Sequence, residues 1–213
     1  MSSSTARIGI FGGTFDPPHI GHLILAAETR SQLNLDRVLW VITPNPPHKT
    51  NRTISPLQVR LELVQAALAS DPGFEISTIE IDRPGPHYSI DTVRLLQEQN
   101  PGAELFYLMG GDSLHDLPTW MRPQELVRCL TGIGVMRRPA DFVDLPWLER
   151  ALPGVTARLH FVDAPLLEIS SSDIRRRIAE GSHYRYFLPP AVYELLKANS
   201  LYALREAGEQ LSE

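Results

Sequence analysis

Residues 7–22 read Arg-Ile-Gly-Ile-Phe-Gly-Gly-Thr-Phe-Asp-Pro-Pro-His-Ile-Gly-His. Arg7–Phe11 is a short apolar run with strand character, and Ile20–Leu33 carries Leu23, Ala26, Ala27 and Arg30 at helical spacing. The segment between them is therefore a strand-to-helix junction. Gly12 and Gly13 permit positive φ and let the backbone approach a bound group with no Cβ in the way. The helix begins near Pro18–Ile20, so its free N–H groups and dipole face the same place, which suits a phosphate. His19 and His22 are three apart and share a face of the first turn. Two imidazoles there can donate hydrogen bonds to phosphate oxygens and stabilise charge as it builds in a transition state. A plain turn and a surface histidine pair are the bland alternatives. A metal site is weak with two ligands and no clear third.

Outward from this junction, short β-branched runs alternate with amphipathic stretches. Strands are expected at Val38–Thr43, Phe74–Ile81, Leu105–Met109, Ile133–Met136 and Leu159–Val162. Helices are expected from a Ser55-Pro56 start to about Ser70, then at Ser89–Gln99, Gln124–Leu130, Leu145–Ala151, Ser172–Glu180 and Pro190–Asn199. This alternation predicts an α/β, Rossmann-like fold, a mainly parallel sheet with helices on both faces. A small C-terminal helical cap covers about residues 165–205 of what reads as one domain over 1–213. In open sheets of this class, ligands sit beyond the carboxyl ends of the strands, so motifs that follow strands carry most weight.

Composition narrows the function. The 213 residues are 43% hydrophobic and 21% charged, average for a globular chain long enough to bury a sizeable core. A single cysteine, Cys129, excludes an intramolecular disulfide framework and any cysteine-cluster zinc site. Twenty Lys and Arg against twenty-five Asp and Glu give a net charge of −5, which speaks against broad binding to nucleic acid or anionic membrane. Anions must then be handled by local basic clusters. No run of about twenty apolar residues suggests a membrane span, and no signal-type h-region stands near the start, so a cytoplasmic location is expected.

Four later strand-following motifs are chemically suggestive. Pro44-Asn45-Pro46-Pro47-His48-Lys49 offers a lysine suited to a phosphate, although a solvated loop lysine is the commoner fate. Arg83-Pro84-Gly85-Pro86-His87-Tyr88-Ser89-Ile90-Asp91-Thr92 feeds a helix start that can cap itself through Ser89 or Asp91, or receive a carboxylate. Gly110-Gly111-Asp112-Ser113 precedes Leu117-Pro118-Thr119-Trp120-Met121. There Asp112 can accept from ribose hydroxyls or cap a helix, and Trp120 can stack on a flat ring or serve the core. Glu168-Ile169-Ser170-Ser171-Ser172-Asp173-Ile174-Arg175-Arg176-Arg177 concentrates hydroxyls, free N–H groups and an arginine at a helix start. Since successive helical residues diverge, at most one or two of the arginines can face a ligand.

The GGTFDPPHIGH string resembles the nucleotidyltransferase superfamily marked by a (T/H)xGH signature. With PPHK, the YSxDT-like segment, GGD with LPxW, and the ISSSxxR-like segment in family order, the chain resembles the bacterial nicotinate-nucleotide adenylyltransferases. Ser89 and Ser172 stand where relatives carry threonine, and Met121 where they carry tyrosine. The resemblance implies adenylyl transfer from ATP to nicotinic acid mononucleotide, forming deamido-NAD and pyrophosphate in NAD biosynthesis. It implies ATP contacts at Gly12, Gly13, Thr14, Phe15, His19, His22, Gly110, Asp112, Ser170, Ser171 and Arg175. It implies acceptor contacts at Thr14, Lys49, Ser89, Thr92, Trp120 and Met121. His19, His22, Lys49 and Arg175 would form the catalytic set, with Arg176 and Arg177 at the surface. Mg²⁺ would arrive with ATP, held by substrate and water rather than by a protein metal site. The partners expected are these two small molecules, with neither nucleic acid nor membrane, and a homo-oligomer left open. A preference for nicotinamide mononucleotide, dual use, and a non-catalytic adenine-nucleotide sensor on the same fold are the alternatives.

Overall fold

The computed structural model describes residues 5–45, 54–69, 71–136, 143–165 and 167–203. Six strands form one sheet: β1 (Arg7–Gly13), β2 (Arg37–Ile42), β3 (Phe74–Ser77), β4 (Glu104–Gly110), β5 (Gly132–Met136) and β6 (Leu159–Val162). Their order is β3-β2-β1-β4-β5-β6, and every neighbouring pair is parallel. The α-helices among the described residues are α1 (Ile20–Gln32), α2 (Leu57–Leu68), α3 (Ser89–Gln99), α4 (Gly111–Asp116), α5 (Pro123–Cys129), α6 (Leu145–Ala151), α7 (Ser171–Ala179) and α8 (Pro190–Ala198).

Strand residues alternate between two cores because successive side chains leave opposite faces of a strand. Ile8, Ile10, Leu39, Val41, Leu105, Tyr107 and Met109 pack with Ile90, Val93 and Leu96 of α3, Leu126 of α5 and Leu148 of α6. Phe11, Val38, Trp40, Ile42, Phe106 and Leu108 pack on the other face with Leu25 of α1, Leu63 and Val64 of α2, Ile174 of α7 and Val192 and Leu196 of α8. Strands buried on both faces read as the continuous apolar runs noted in the sequence. The order reverses between β1 and β4, so a crevice opens at their carboxyl ends.

Three local expectations need correction. The third strand stops at Ser77 instead of Ile81, where the chain leaves the sheet in a turn closed by Thr78 Oγ1 donating to Asp82 Oδ2 (2.6 Å) and Asp82 N–H to Thr78 O (2.9 Å). Helix α2 starts at Leu57 with Pro56 as its N-cap, so Ser55 does not cap it; the Ser55 carbonyl accepts from Arg60 Nε instead (3.0 Å). Gly12 and Gly13 keep negative φ as the last residues of β1, and the positive φ of this loop falls on Phe15 (49°). The reason for glycine at 13 is space: a Cβ there would lie 2.7 Å from the Phe15 ring.

Candidate active site

Both sides of the crevice are lined by strand-end segments, and the cleft between them holds about 550 Å³. On one side stand Gly12–Asp16 after β1 and His19 and His22 at the start of α1. Gly110 and Asp112 after β4 and Ser170–Ser172 with Arg175 of α7 complete this end. Toward α3 stand Glu80, His87, Tyr88, Ser89, Tyr107, Trp120 and Met121.

His19 is the N-cap of α1, only 4% exposed, and its backbone N–H donates to His22 Nδ1 at 3.2 Å. An Nδ1 that accepts leaves the ring proton on Nε2, so neutral His22 is held in a donor tautomer. The two rings stack at 3.6 Å between centroids, and His22 also meets Phe15 edge-on at 5.2 Å. Gly21 leaves room beside this stack, since a Cβ there would sit 3.2 Å from the His19 ring. The sequence thus fixes both imidazoles by a helix cap and a packed aromatic wall.

The serine-rich start of α7 comes to the same end. Ser170 caps the helix, accepting from Asp173 N–H at 3.1 Å. Ser171 Oγ donates to Pro17 O (2.8 Å), and Arg175 Nη1 donates to Asp16 O (2.6 Å), tying α7 to the β1–α1 loop. Arg176 pairs with Asp173 and Glu180, and Arg177 with Asp173 while covering the Phe187 ring, so neither serves the cleft.

At the other end, Ser89 is the first residue of α3 behind an N-cap at Tyr88, so neither Ser89 nor Asp91 caps the helix; Asp91 pairs with Arg122. The Ser89 hydroxyl lies 3.2 Å from Tyr107 Oη. Burial pushes the Tyr107 phenol up to about 12, with Ser89 opposing and the charge of Glu80 adding. Trp120 meets the Tyr107 ring edge-on at 5.8 Å and keeps an open side toward the cleft, while Met121 is 44% exposed. Asp112 lies in the first turn of α4, whose N-cap is Gly110, so it lines the cleft without capping. Thr92 is the one predicted contact among the described residues that misses the cleft wall: at 2% exposure, its hydroxyl donates to Glu80 Oε1 (2.6 Å). Lys49 lies outside the described residues.

Several residues of the site went unread in the sequence. Arg60 of α2, 1% exposed, donates to the carbonyls of Ser55 (3.0 Å), Thr14 (3.0 Å), Thr43 (2.9 Å) and Pro44 (2.8 Å). Burial lowers its pKa, which the charge of Asp16 opposes. It ties the turn after β1 to the loop after β2. Glu80, 4% exposed, and His87, 6% exposed, stand behind the Ser89 end. A lone arginine on a helix and a carboxylate after a short strand give no sequence signal; only their burial marks them. Among the described residues, no group of three or more His, Cys, Asp or Glu side chains could hold a metal ion. No described helix is long and apolar enough to cross a membrane.

The cytidylyltransferase-like family pattern matches residues 10–177. A Thermomicrobium roseum protein named "probable nicotinate-nucleotide adenylyltransferase" is 46% identical over 202 residues, 95% of this chain and 94% of the relative. A Bacillus pumilus protein of the same name is 40% identical, over 92% of this chain and 98% of its own length. Among solved structures, Plasmodium falciparum nicotinic acid mononucleotide adenylyltransferase complexed with NaAD superposes with a TM-score of 0.76. That match has 18% identity and covers 92% of this chain and 97% of the other, a likeness that carries the fold.

Proposed function

The chain belongs to the nicotinate-nucleotide adenylyltransferases of the cytidylyltransferase-like family, and from that premise we propose that it transfers the adenylyl group of ATP to nicotinic acid mononucleotide. The products are nicotinate adenine dinucleotide and pyrophosphate, a step of NAD biosynthesis. The observation that carries this reading is convergence. The histidine pair, the glycine turn and the serine–arginine start of α7 meet at one end of a cleft whose other end offers Ser89, Tyr107 and Trp120.

A phosphate oxygen of the mononucleotide attacks the α-phosphorus of ATP in line. The bond from that phosphorus to the bridging oxygen breaks, and the electron pair leaves with pyrophosphate. The attacking oxygen is already ionised, so no general base is needed. The protein's work is orientation and charge stabilisation. His22 Nε2–H donates to the phosphate oxygens on which charge builds, and His19 holds His22 in that tautomer from a buried cap. Ser170, Ser171 and Arg175 hold the leaving pyrophosphate at the N-terminus of α7. Trp120 offers a ring face to the pyridine, and the free N–H groups at the start of α3, with the Ser89 hydroxyl, receive its carboxylate. Lys49, which the sequence places between β2 and α2, would offset repulsion between the two phosphates. Mg²⁺ held by ATP oxygens and water supplies further charge neutralisation when bound.

One local feature favours a second acceptor. Glu80 Oε2 is buried at the Ser89 end with no hydrogen-bond partner among the described residues, and it can accept from a carboxamide N–H. ATP-dependent pyrophosphate release with nicotinate mononucleotide, nicotinamide mononucleotide and phosphopantetheine separates the readings. The highest kcat/KM is expected with the nicotinate substrate. Equal use of the two pyridine nucleotides would establish dual specificity, and no release with any acceptor would identify a nucleotide sensor.

A further inference from the structure

Asp16 stands in the β1–α1 loop with its carboxylate almost wholly buried, at 4% exposure. Its Oδ2 accepts from Ser55 N–H at 3.2 Å. Its Oδ1 accepts from the hydroxyl of Tyr202 at 2.6 Å, across 186 residues of sequence. Tyr202 follows α8 and sits at φ 65°, in the left-handed region. An aromatic residue is held there only when other contacts over-determine its position. The contact to Asp16 is the strong one, a short bond from a neutral donor to a buried anion.

Two guanidinium groups neighbour this carboxylate. Arg60 is locked on four backbone carbonyls and cannot turn. Arg175 Nη1 lies 3.9 Å from Asp16 Oδ2, bonds the Asp16 carbonyl, and keeps 26% of its side chain exposed at the cleft. A buried anion that loses a donor takes the nearest mobile one, because leaving it short of partners is costly. Without the phenol, that mobile donor is Arg175.

We infer that Tyr202 is a positioning residue. By satisfying Asp16 Oδ1 from the far end of the chain, it keeps the Asp16 carboxylate from drawing Arg175 away from the triphosphate. The inference rests on the adenylyl-transfer reading only for the role of Arg175 toward ATP. Tyr202→Phe in the full chain removes one oxygen and leaves the ring to pack. The loss of a charge-assisted hydrogen bond is expected to raise KM for ATP, and the calorimetric Kd for ATP, by about tenfold. KM for the mononucleotide stays unchanged, and Tyr186→Phe, at a residue 84% exposed, changes neither. On an Arg175→Ala background, Tyr202→Phe should add nothing to the ATP defect. Unchanged ATP constants would overturn the inference. So would a parallel loss for both substrates with a lowered Tm, or an effect that persists in full without Arg175. Should the wild-type chain fail to use the mononucleotide, the functional reading falls, while calorimetry with ATP still decides the role of Tyr202.

Discussion

The phosphate end of the cleft is built mostly from contiguous chain, residues 12–22, closed by the start of α7, whereas the pyridine end is assembled from side chains of residues 80–121 spread over several elements. The first offers helix starts and imidazoles fixed through a cap and a 3.6 Å stack. The second offers Trp120 and Tyr107 in edge-on contact and a hydroxyl on α3. The contrast has a physical root. Stabilising charge that develops during reaction demands donors aimed in advance, which backbone geometry supplies. Holding a ring demands surface and shape, which several side chains can share. Changes at the phosphate end should therefore act on turnover, and changes at the pyridine end on acceptor binding.

The sharpest way to break this contrast is His22→Ala. Loss of one aimed donor should lower kcat by about 10²–10³-fold with little change in either KM. Steady-state pyrophosphate release gives the answer, and an unchanged kcat would remove His22 from the chemistry. Next in size is Arg60→Met, which leaves four loop carbonyls without their donor and should cost about 3 kcal/mol of stability. Urea unfolding measures it, and a loss below about 1 kcal/mol would mean that the phosphate turn holds itself. Trp120→Ala should raise KM for the mononucleotide by about tenfold while leaving KM for ATP in place. A defect confined to ATP would reverse the two ends.

The smallest effect concerns pH. Burial pulls the His87 pKa down, with Glu80 opposing and Arg83 adding. The unfolded chain regains an ordinary histidine pKa of about 6.5 and so binds more protons than the native chain below that value. Stability should therefore fall as pH drops below about 6.5, and His87→Leu should flatten that slope. Unfolding midpoints at two pH values on either side of that pKa, compared between wild type and variant, check it. Identical slopes would clear His87.

The same contrast governs how much could be read from the sequence. The strands other than β3, with α3 and α6, fall close to their apolar and proline signals, since periodicity and proline mark local structure directly. The phosphate end was legible because GGTFDPPHIGH is contiguous and its chemistry local. The early end of β3 was not, because a residue such as Ile79 alternates like a strand yet packs in the core from a turn. Thr92 shows the limit at the pyridine end: its place in the motif suggests a ligand contact, but one helical turn after Ser89 it points at Glu80. Arg60, Glu80, Asp16 and Tyr202 act through burial and long-range pairing, and nothing in their neighbours along the chain announces that.

In the proposed reading one cleft holds both reactants in a fixed direction, phosphates at the α1 and α7 starts and pyridine against Trp120. The most direct test is a crystal structure of the chain with nicotinate adenine dinucleotide. The dinucleotide phosphates should lie within hydrogen-bond distance of His22 Nε2 and the pyridine ring should pack on Trp120, its carboxylate at the start of α3. A dinucleotide bound in the opposite direction, or outside this cleft, would contradict it.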